Sequence, residues 1–227
     1  MATRHLLADL AAAAVEAGLP GIEIESTGGV DAARRVAAGE PFDLVFLALD
    51  ALDALAAAGH VDATSVIDLV VSQVAVAVRG TPDDVAEPPS GAAFADAEGM
   101  RAALVAAERI GYSTGPSGND LVAMIERWGL QDAVGPKLVQ ARPGVPVAAL
   151  LGAGEVDLGF QQLSELVGQP AVRITGVLPH DCAIDTVFAG AVACGSDEAP
   201  AASSVLGFFR SPAAAAIAVG HHFRPCP

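Results

Sequence analysis

Helical segments and short β-rich segments alternate along almost the whole chain. Apolar strand-like segments such as "DLVFLA", "DLVVSQVAVAV" and "VDLGF" lie among stretches with helical periodicity, several of which end at a glycine. This alternation is typical of α/β proteins, in which helices cover both faces of parallel sheets. The sequence therefore predicts an α/β fold with mostly parallel sheets flanked by helices.

The individual elements follow from periodicity and from helix stop signals. Helices are predicted near residues 3–17, 30–38, 51–58, 97–107, 118–128, 145–153, 199–209 and 212–219. Strands are predicted at "IEIE", "DLVFLA", "DLVVSQVAVAV", "RIGYS", "KLVQA", "VDLGF", "AVRITGVL" and "AIDTVFAGAVAC".

A proline-rich acidic stretch, "RGTPDDVAEPPSGAAFADAEG", interrupts the pattern after the third helix and the strand that follows it. Such a segment marks a loop and a passage into a second folding unit. We therefore expect two α/β lobes. Lobe 1 comprises residues 1–79 plus 184–227, and lobe 2 comprises residues 80–183.

Composition excludes several classes of function. The 227 residues include 27 acidic and 12 basic side chains, which gives a net charge of −15. Because the few basic residues are scattered, the chain offers no phosphate-tracking surface, and we expect no nucleic-acid partner. Classical nucleophile and nucleotide-binding motifs such as GxSxG, a Walker loop and GxGxxG are missing.

The cysteines and histidines do not form a recognisable metal motif. No CxxC pair occurs among Cys182, Cys194 and Cys226, and no histidine lies at metal-ligand spacing from them. The side chains of adjacent residues point in different directions on a helix or strand, so His221 and His222 do not form a metal site together. We expect neither a metal nor another cofactor.

The beginning of the chain predicts an amphipathic helix rather than an export signal, because Asp9 and Glu16 interrupt its apolar residues. No apolar run approaches the roughly 18 residues of a membrane span. The sequence as given is expected to be cytoplasmic, and periplasmic or extracellular if the true start lies upstream.

Four polar, glycine-rich segments follow predicted strands. They are "STGG" after "IEIE", "STGPSGND" after "RIGY", "ARPGVP" after "KLVQ", and "FQQLSE" after "VDLG". In open α/β sheets ligands bind beyond the carboxyl ends of strands, where helix N-termini present free amides. Hydroxyl, amide and backbone donors without formal charge suit a small anion. Each segment taken singly also fits an ordinary helix cap or turn.

The order of these segments, together with "GVLPHD" and "SPAAAAIA", resembles the molybdate-binding-like family of type 2 periplasmic substrate-binding proteins, a family fold that also includes aconitate isomerase. The resemblance covers nearly the whole chain. It implies two lobes with a ligand cleft between them, and an oxyanion held by hydroxyls and backbone amides. Matched segment by segment, it implies ligand contacts at Thr3, Thr27, Gly28, Gly29, Ser117, Gly118, Val145 and Gln162.

Two departures from the family bear on these expectations. The family begins with a strand that leads into a ligand-contacting loop, whereas this chain begins at what resembles that loop, Met1 to Thr3. A transport role needs export, so a transporter partner is expected only if the chain is exported.

Two functions are therefore expected from the same cleft. The first is a module that binds a small oxyanion or carboxylate. The alternative is a cofactor-independent isomerase or tautomerase that moves a double bond in an unsaturated carboxylic acid. For the second, the candidate acid–base residues are His180, Asp120 and Tyr112. Arg142 is a candidate partner for a substrate carboxylate, and Gln161 and Gln162 are expected to open a helix toward the ligand.

Overall fold

The structure, a computed structural model, describes residues 2–226 and consists of helices alternating with strands. The α-helices are α1 (Arg4–Glu16), α2 (Gly29–Ala37), α3 (Leu49–Ala57), α4 (Ala97–Ala106), α5 (Pro116–Arg127), α6 (Gln131–Val134), α7 (Val147–Ala153), α8 (Leu163–Leu166), α9 (Ala199–Phe208) and α10 (Pro212–Gly220). The strands are β1 (Leu44–Ala48), β2 (Ile67–Arg79), β3 (Ile110–Tyr112), β4 (Leu138–Gln140), β5 (Leu158–Gln162), β6 (Val172–Val177), β7 (Asp185–Val192) and β8 (Arg224–Pro225). The α/β class is confirmed.

The chain forms two compact units. Unit 1 comprises Met1–Ser72 and Thr186–Pro227, and unit 2 comprises Gln73–Asp185. The sequence-based division placed the first boundary between the lobes at residues 79 and 80, at the start of the proline-rich loop. In the structure the boundary between the two units falls inside β2, because this unbroken strand passes from one unit into the other.

In unit 1, β1 pairs antiparallel with β7, with Leu44 opposite Val192 and Ala48 opposite Phe188. Apolar side chains of α1, α9 and α10 pack together with those of β2, and Leu6, Leu10 and Phe209 are almost fully buried among them. A second cluster lies under α2 and α3. The apolar faces predicted from periodicity therefore form the core of this unit.

In unit 2, β2 lies between β5 and β6 and runs antiparallel to both. On its other side β5 pairs parallel with β3, and β3 pairs parallel with β4. Helices α4 and α5 bury Leu104, Leu121 and Ile125 against this sheet together with Phe160. The carboxyl ends of β3, β4 and β5 therefore lie at one edge, as helix-connected parallel strands require.

Two sequence expectations about strands are wrong. Of the six strand pairings whose register is described, two, β3–β4 and β3–β5, are parallel, so the sheets are not mostly parallel. Hydrophobic periodicity does not encode strand direction. The segment "IEIE" is no strand: Ile22 and Ile24 are half-buried and Glu23 and Glu25 are exposed, as the alternation requires, but no neighbouring strand pairs with it in residues 2–226.

Within residues 2–226, no single helix is long and apolar enough to cross a membrane. By length and composition alone, α9 and α10 would qualify as a pair, but the chain bends by 65° between them.

Candidate functional site

The loop between β3 and α5 in unit 2 brings two serine hydroxyls together. The Oγ atoms of Ser113 and Ser117 are 3.2 Å apart, within hydrogen-bonding distance. Ser117 is only 4% exposed, although it lies in the first turn of a helix. Because a buried hydroxyl needs a partner, this pair holds the loop in a defined conformation.

Gly118 permits this arrangement. A Cβ atom at this position would overlap the carbonyl oxygen of Ser113 and lie 3.1 Å from Cδ2 of Tyr112. The backbone of α5 therefore approaches the end of β3 more closely than any residue with a side chain would allow. Tyr112, Ser113, Ser117 and Gly118 form one group of residues, which we call the serine loop.

The first turn of α5 has no side-chain cap, and of its amides that of Gly118 already donates to the carbonyl of Gly115 over 3.0 Å. Gly115 is the N-cap and has no side chain to accept from them, and Pro116 occupies the first helical position. The helix begins two residues earlier than predicted. Asp120 therefore lies beyond the first turn, which contains no acidic residue. A first turn without a negative charge favours an external anion.

A tight turn follows β4. The amide of Val145 donates to the carbonyl of Arg142 over 2.9 Å, and the intervening residues are Pro143 and Gly144, the latter at φ +80°. Proline followed by a glycine with positive φ is the signature of a type II turn. Arg142 is exposed and Val145 is 39% exposed, so both are accessible to a ligand.

Gln161 connects three elements of unit 2. Its Oε1 accepts from the amide of Val147 at the beginning of α7 over 2.8 Å, and its Nε2 donates to Oε2 of Glu165 in α8 over 3.0 Å. Gln161 is 4% exposed. This side chain therefore caps α7, and Glu165 fixes the orientation of its amide.

The expectation that Gln161 and Gln162 open a helix is wrong. Both residues belong to β5, where they lie opposite Ala75 and Val74 of β2. The strand extends two residues further than the sequence suggested because its ladder with β2 continues to Gln162, which then serves as the N-cap of α8. Gln162 is also 4% exposed.

In unit 1, α2 begins at Gly29, and Gly28 is its N-cap in extended conformation without a side-chain cap. Gly28 and Gly29 are exposed and Thr27 is half-buried. The predicted segment therefore precedes a nine-residue helix directly, with its first amides uncapped by any side chain.

Thr3 is the N-cap of α1, and its carbonyl accepts from the amide of Leu7 over 2.8 Å. Met1, the other end of the predicted N-terminal loop, lies outside the described residues. Residues 2–43 contain no strand.

The acid–base candidates are dispersed over unit 2. Tyr112 is half-buried in the serine loop. Asp120 is exposed on α5, and His180 is exposed in the short 3₁₀ helix His180–Cys182. No contact described between residues 2 and 226 joins His180 to the serine loop.

No group of three or more histidine, cysteine, aspartate or glutamate side chains in residues 2–226 is arranged to hold a metal ion. His221 instead pairs with Asp9, with 2.8 Å between Nε2 and Oδ2. Burial, together with the nearby carboxylates of Asp181 and Asp96, raises the pKa of the Cys182 thiol to about 11. A thiol with so high a pKa is a poor nucleophile and a poor metal ligand at neutral pH.

Three residues of this region were not singled out from the sequence. They are Glu165, Gly111 and Gly159. Glutamate in the first turn of a short helix and glycine in a strand are both common, so only the spatial contacts identify them.

Comparisons with known proteins agree on one family. The bacterial extracellular solute-binding protein family matches residues 1–224. A protein described as aconitate isomerase from a Pseudomonas species is 34% identical over 197 residues, which are 85% of this chain and 71% of that protein.

Solved structures show the same fold. The substrate-binding domain of a proposed molybdenum ABC transporter from Clostridium difficile has a TM-score of 0.74 at 16% identity, over 100% of this chain and 96% of the other. The periplasmic molybdate-binding protein of Azotobacter vinelandii has a TM-score of 0.73 at 18% identity, over 99% and 96%.

Proposed function

We propose that this chain, which belongs to the bacterial extracellular solute-binding protein family, binds a small oxyanion or carboxylate. The observation that carries this proposal is the serine loop at the beginning of α5. It combines a hydroxyl pair of which Ser117 is buried, a helix N-terminus without a side-chain cap and a glycine that lets the backbone approach closely. Together these features leave the Ser117 amide and one serine hydroxyl hydrogen to donate to a negative charge.

The electrostatics of the serine loop favour recognition by hydrogen bonds over recognition by ion pairs. The loop from Ser113 to Gly118 contains no lysine or arginine, and the whole chain carries a net charge of −15. A loop without cations on such an acidic protein needs neutral donors to attract an anion. The serine hydroxyls and the Ser117 amide are donors of this kind.

We propose Ser117, Gly118, Val145 and Gln162 as ligand contacts in unit 2, with Arg142 and Gln161 as further candidates. In unit 1 the proposed contacts are Thr27, Gly28 and Gly29, with Thr3 as a further candidate. Because Oε1 of Gln161 already accepts from Val147 and its Nε2 already donates to Glu165, the contribution of Gln161 to the proposed site is to fix the start of α7.

A second candidate function is favoured by the relative described as aconitate isomerase, which is 34% identical to this chain. In such a reaction a base removes a proton from an allylic carbon, the double bond shifts, and a proton returns to the other end of the system. No oxidant or cofactor is required. Tyr112 is the titratable candidate nearest the donors, since it directly precedes Ser113; Asp120 and His180 are the alternatives.

Whether the chain has a membrane transporter as a partner depends on whether the chain is exported. If the chain is exported, we propose that it delivers its ligand to a membrane transporter, as the description of the Clostridium difficile neighbour implies for that protein.

Titration calorimetry with molybdate, sulfate, citrate and trans-aconitate tests the binding proposal. Saturable binding of at least one of these anions supports it, and absence of heat with all of them contradicts it. Proton NMR of trans-aconitate with the protein in deuterated buffer then separates the two functions. Binding without deuterium incorporation identifies a binding module, whereas exchange at the allylic carbon identifies an isomerase.

A further inference from the structure

The segment from Pro20 to Thr27 in unit 1 belongs to no helix or strand. Within residues 2–226, no backbone hydrogen bond to any residue of this segment is formed. Ile22 and Ile24 pack against the apolar cluster that contains Leu6 and Phe209. The segment leads directly into Gly28 and α2, so its position sets the position of the proposed contacts at Thr27 and Gly28.

One polar interaction ties this segment to the rest of unit 1. Nη1 of Arg35 donates to Oε2 of Glu25 over 2.7 Å. Glu25 lies two residues before Thr27, and Arg35 lies in the last turn of α2. The ion pair therefore links the end of the helix back to the segment that enters it.

Arg35 is itself held in place by two other residues. Its Nε and Nη2 atoms contact Oε2 of Glu40 at 2.7 and 2.6 Å, and its guanidinium carbon lies 5.0 Å from the centre of the Phe42 ring. The Arg35 side chain is 28% exposed. Since Glu40 and Phe42 fix the guanidinium, the remaining nitrogen is directed at Glu25.

We infer that Arg35 is a positioning residue which, through Glu25, holds Thr27 and Gly28 in the conformation that receives a ligand. This inference rests on the proposed function of these two residues as ligand contacts. Arginine is required because one nitrogen pair engages Glu40 while a third nitrogen reaches Glu25. A lysine has a single nitrogen and does not reproduce this fork.

The effect is expected on local order rather than on global stability. Glu25 is 67% exposed, and exposed ion pairs contribute little to unfolding. A segment without backbone hydrogen bonds has few other contacts that oppose local opening. Loss of the Glu25 pair therefore loosens residues 22–28 while the core of unit 1 remains folded.

The test compares Glu25→Gln with Glu40→Gln. Both remove one negative charge beside the same arginine. Glu40 contacts two of its nitrogens and Glu25 contacts one, but only Glu25 belongs to the segment. In the ligand-free protein, Glu25→Gln is expected to accelerate thermolysin cleavage before Ile22 and Ile24 by about fivefold, with less than about twofold in Glu40→Gln. Cleavage in α1 and β1 and the melting temperature stay unchanged in both variants.

Calorimetry with molybdate and trans-aconitate provides the second readout. Glu25→Gln and Arg35→Lys are expected to weaken the affinity for whichever probe binds, and Glu40→Gln to weaken it less. Unchanged thermolysin cleavage in Glu25→Gln overturns the inference, and so do equal effects of Glu25→Gln and Glu40→Gln on both readouts. If the unmodified protein binds neither probe, the proposed function is contradicted for these anions, while the cleavage comparison still decides whether Arg35 holds the segment.

Discussion

Gly111 and Gly159 lie directly opposite each other on the parallel strands β3 and β5. A Cβ on Gly111 would be 2.9 Å from Cγ1 of Val147, and a Cβ on Gly159 would be 2.8 Å from the same atom and from Cδ1 of Leu151. Helix α7 therefore packs on the bare backbone of this glycine pair. Its first residue, Val147, is held close to the sheet, and the turn that precedes it is held there too.

Replacement of Gly159 by alanine is expected to lower the free energy of unfolding by about 1–3 kcal/mol, because the new methyl group overlaps side chains of α7 in a packed core. Urea denaturation measures this. Gly91→Ala is the matched control in unit 2, since a Cβ there meets nothing within 4 Å, and it should change stability by less than about 0.5 kcal/mol. Equal effects in the two variants would contradict the packing argument.

Replacement of Ser117 by alanine removes the buried partner of the Ser113 hydroxyl and one proposed ligand donor. Ligand affinity is expected to fall by about 1 kcal/mol, roughly fivefold. Calorimetry with the anion that binds the unmodified protein gives the value. Ser204→Ala, an exposed serine on α9 that bonds only to the Pro200 carbonyl among the contacts described, controls for loss of a hydroxyl. An unchanged affinity in Ser117→Ala removes this residue from the proposed site.

Gln161 and Gln162 are neighbours with the same 4% exposure, and the two substitutions to leucine should act differently. Gln161→Leu leaves the Val147 amide without its acceptor, which costs about 1–3 kcal/mol of unfolding free energy. Gln162→Leu is predicted to weaken ligand binding more than it weakens the fold. Thermal unfolding and calorimetry on both variants give the comparison. A Gln162→Leu protein with reduced stability and full affinity would assign that residue a structural role.

The Cys182 thiol predicts a loss of stability at alkaline pH. Burial, with Asp181 and Asp96, raises its pKa from 9.0 to about 11, so between these values the unfolded chain releases the proton and the folded chain retains it. Unfolding is therefore favoured as the pH rises through this window. The slope of stability against pH from 9 to 11 should be shallower in Cys182→Ala. An identical slope would show that other groups cause the alkaline loss.

The three cysteine thiols differ in burial, and we expect their reactivity to decrease as their burial increases. Cys194 is exposed, Cys226 is half-buried and Cys182 is buried. A thiol reagent at neutral pH should therefore label Cys194 first and Cys182 only after unfolding. Mass spectrometry of peptides after timed labelling measures the order. Early labelling of Cys182 would contradict the described packing of this residue against Met100.

Most helices and strands were predictable because each has a clear hydrophobic period. Helix α4 was predicted at residues 97–107 and is found at Ala97–Ala106, and "DLVFLA" contains β1. The segment "IEIE" shows the limit of this argument. Its alternation correctly predicts which side chains face the core, but a strand also needs a partner, and pairing is a property of the tertiary structure.

The sequence indicated which segments form the candidate site, but the contacts between their side chains could not be predicted from it. The polar composition of "STGPSGND" indicated the serine loop, and the structure brings Ser113 and Ser117 together there. The role of Gln161 as a cap for α7 was not accessible, because it depends on a strand that continues for two residues beyond Phe160. The Gly111–Gly159 pair likewise depends on strand register, which hydrophobic patterns alone do not determine between parallel strands.

Unit 1 is formed by two separate stretches of the chain, and this constrains the order of folding during synthesis. Strand β1 emerges early, but its partner β7 ends at Val192, after the whole of unit 2 has been translated. Gln73–Asp185 is continuous and holds all the strands that pair with β3 and β5. Contacts between distant residues form slowly because a long loop must close first. A ribosome-bound chain long enough for Asp185 to have left the exit tunnel, with β7 still inside it, should therefore protect unit 2 from protease while α1 to α3 remain cleavable.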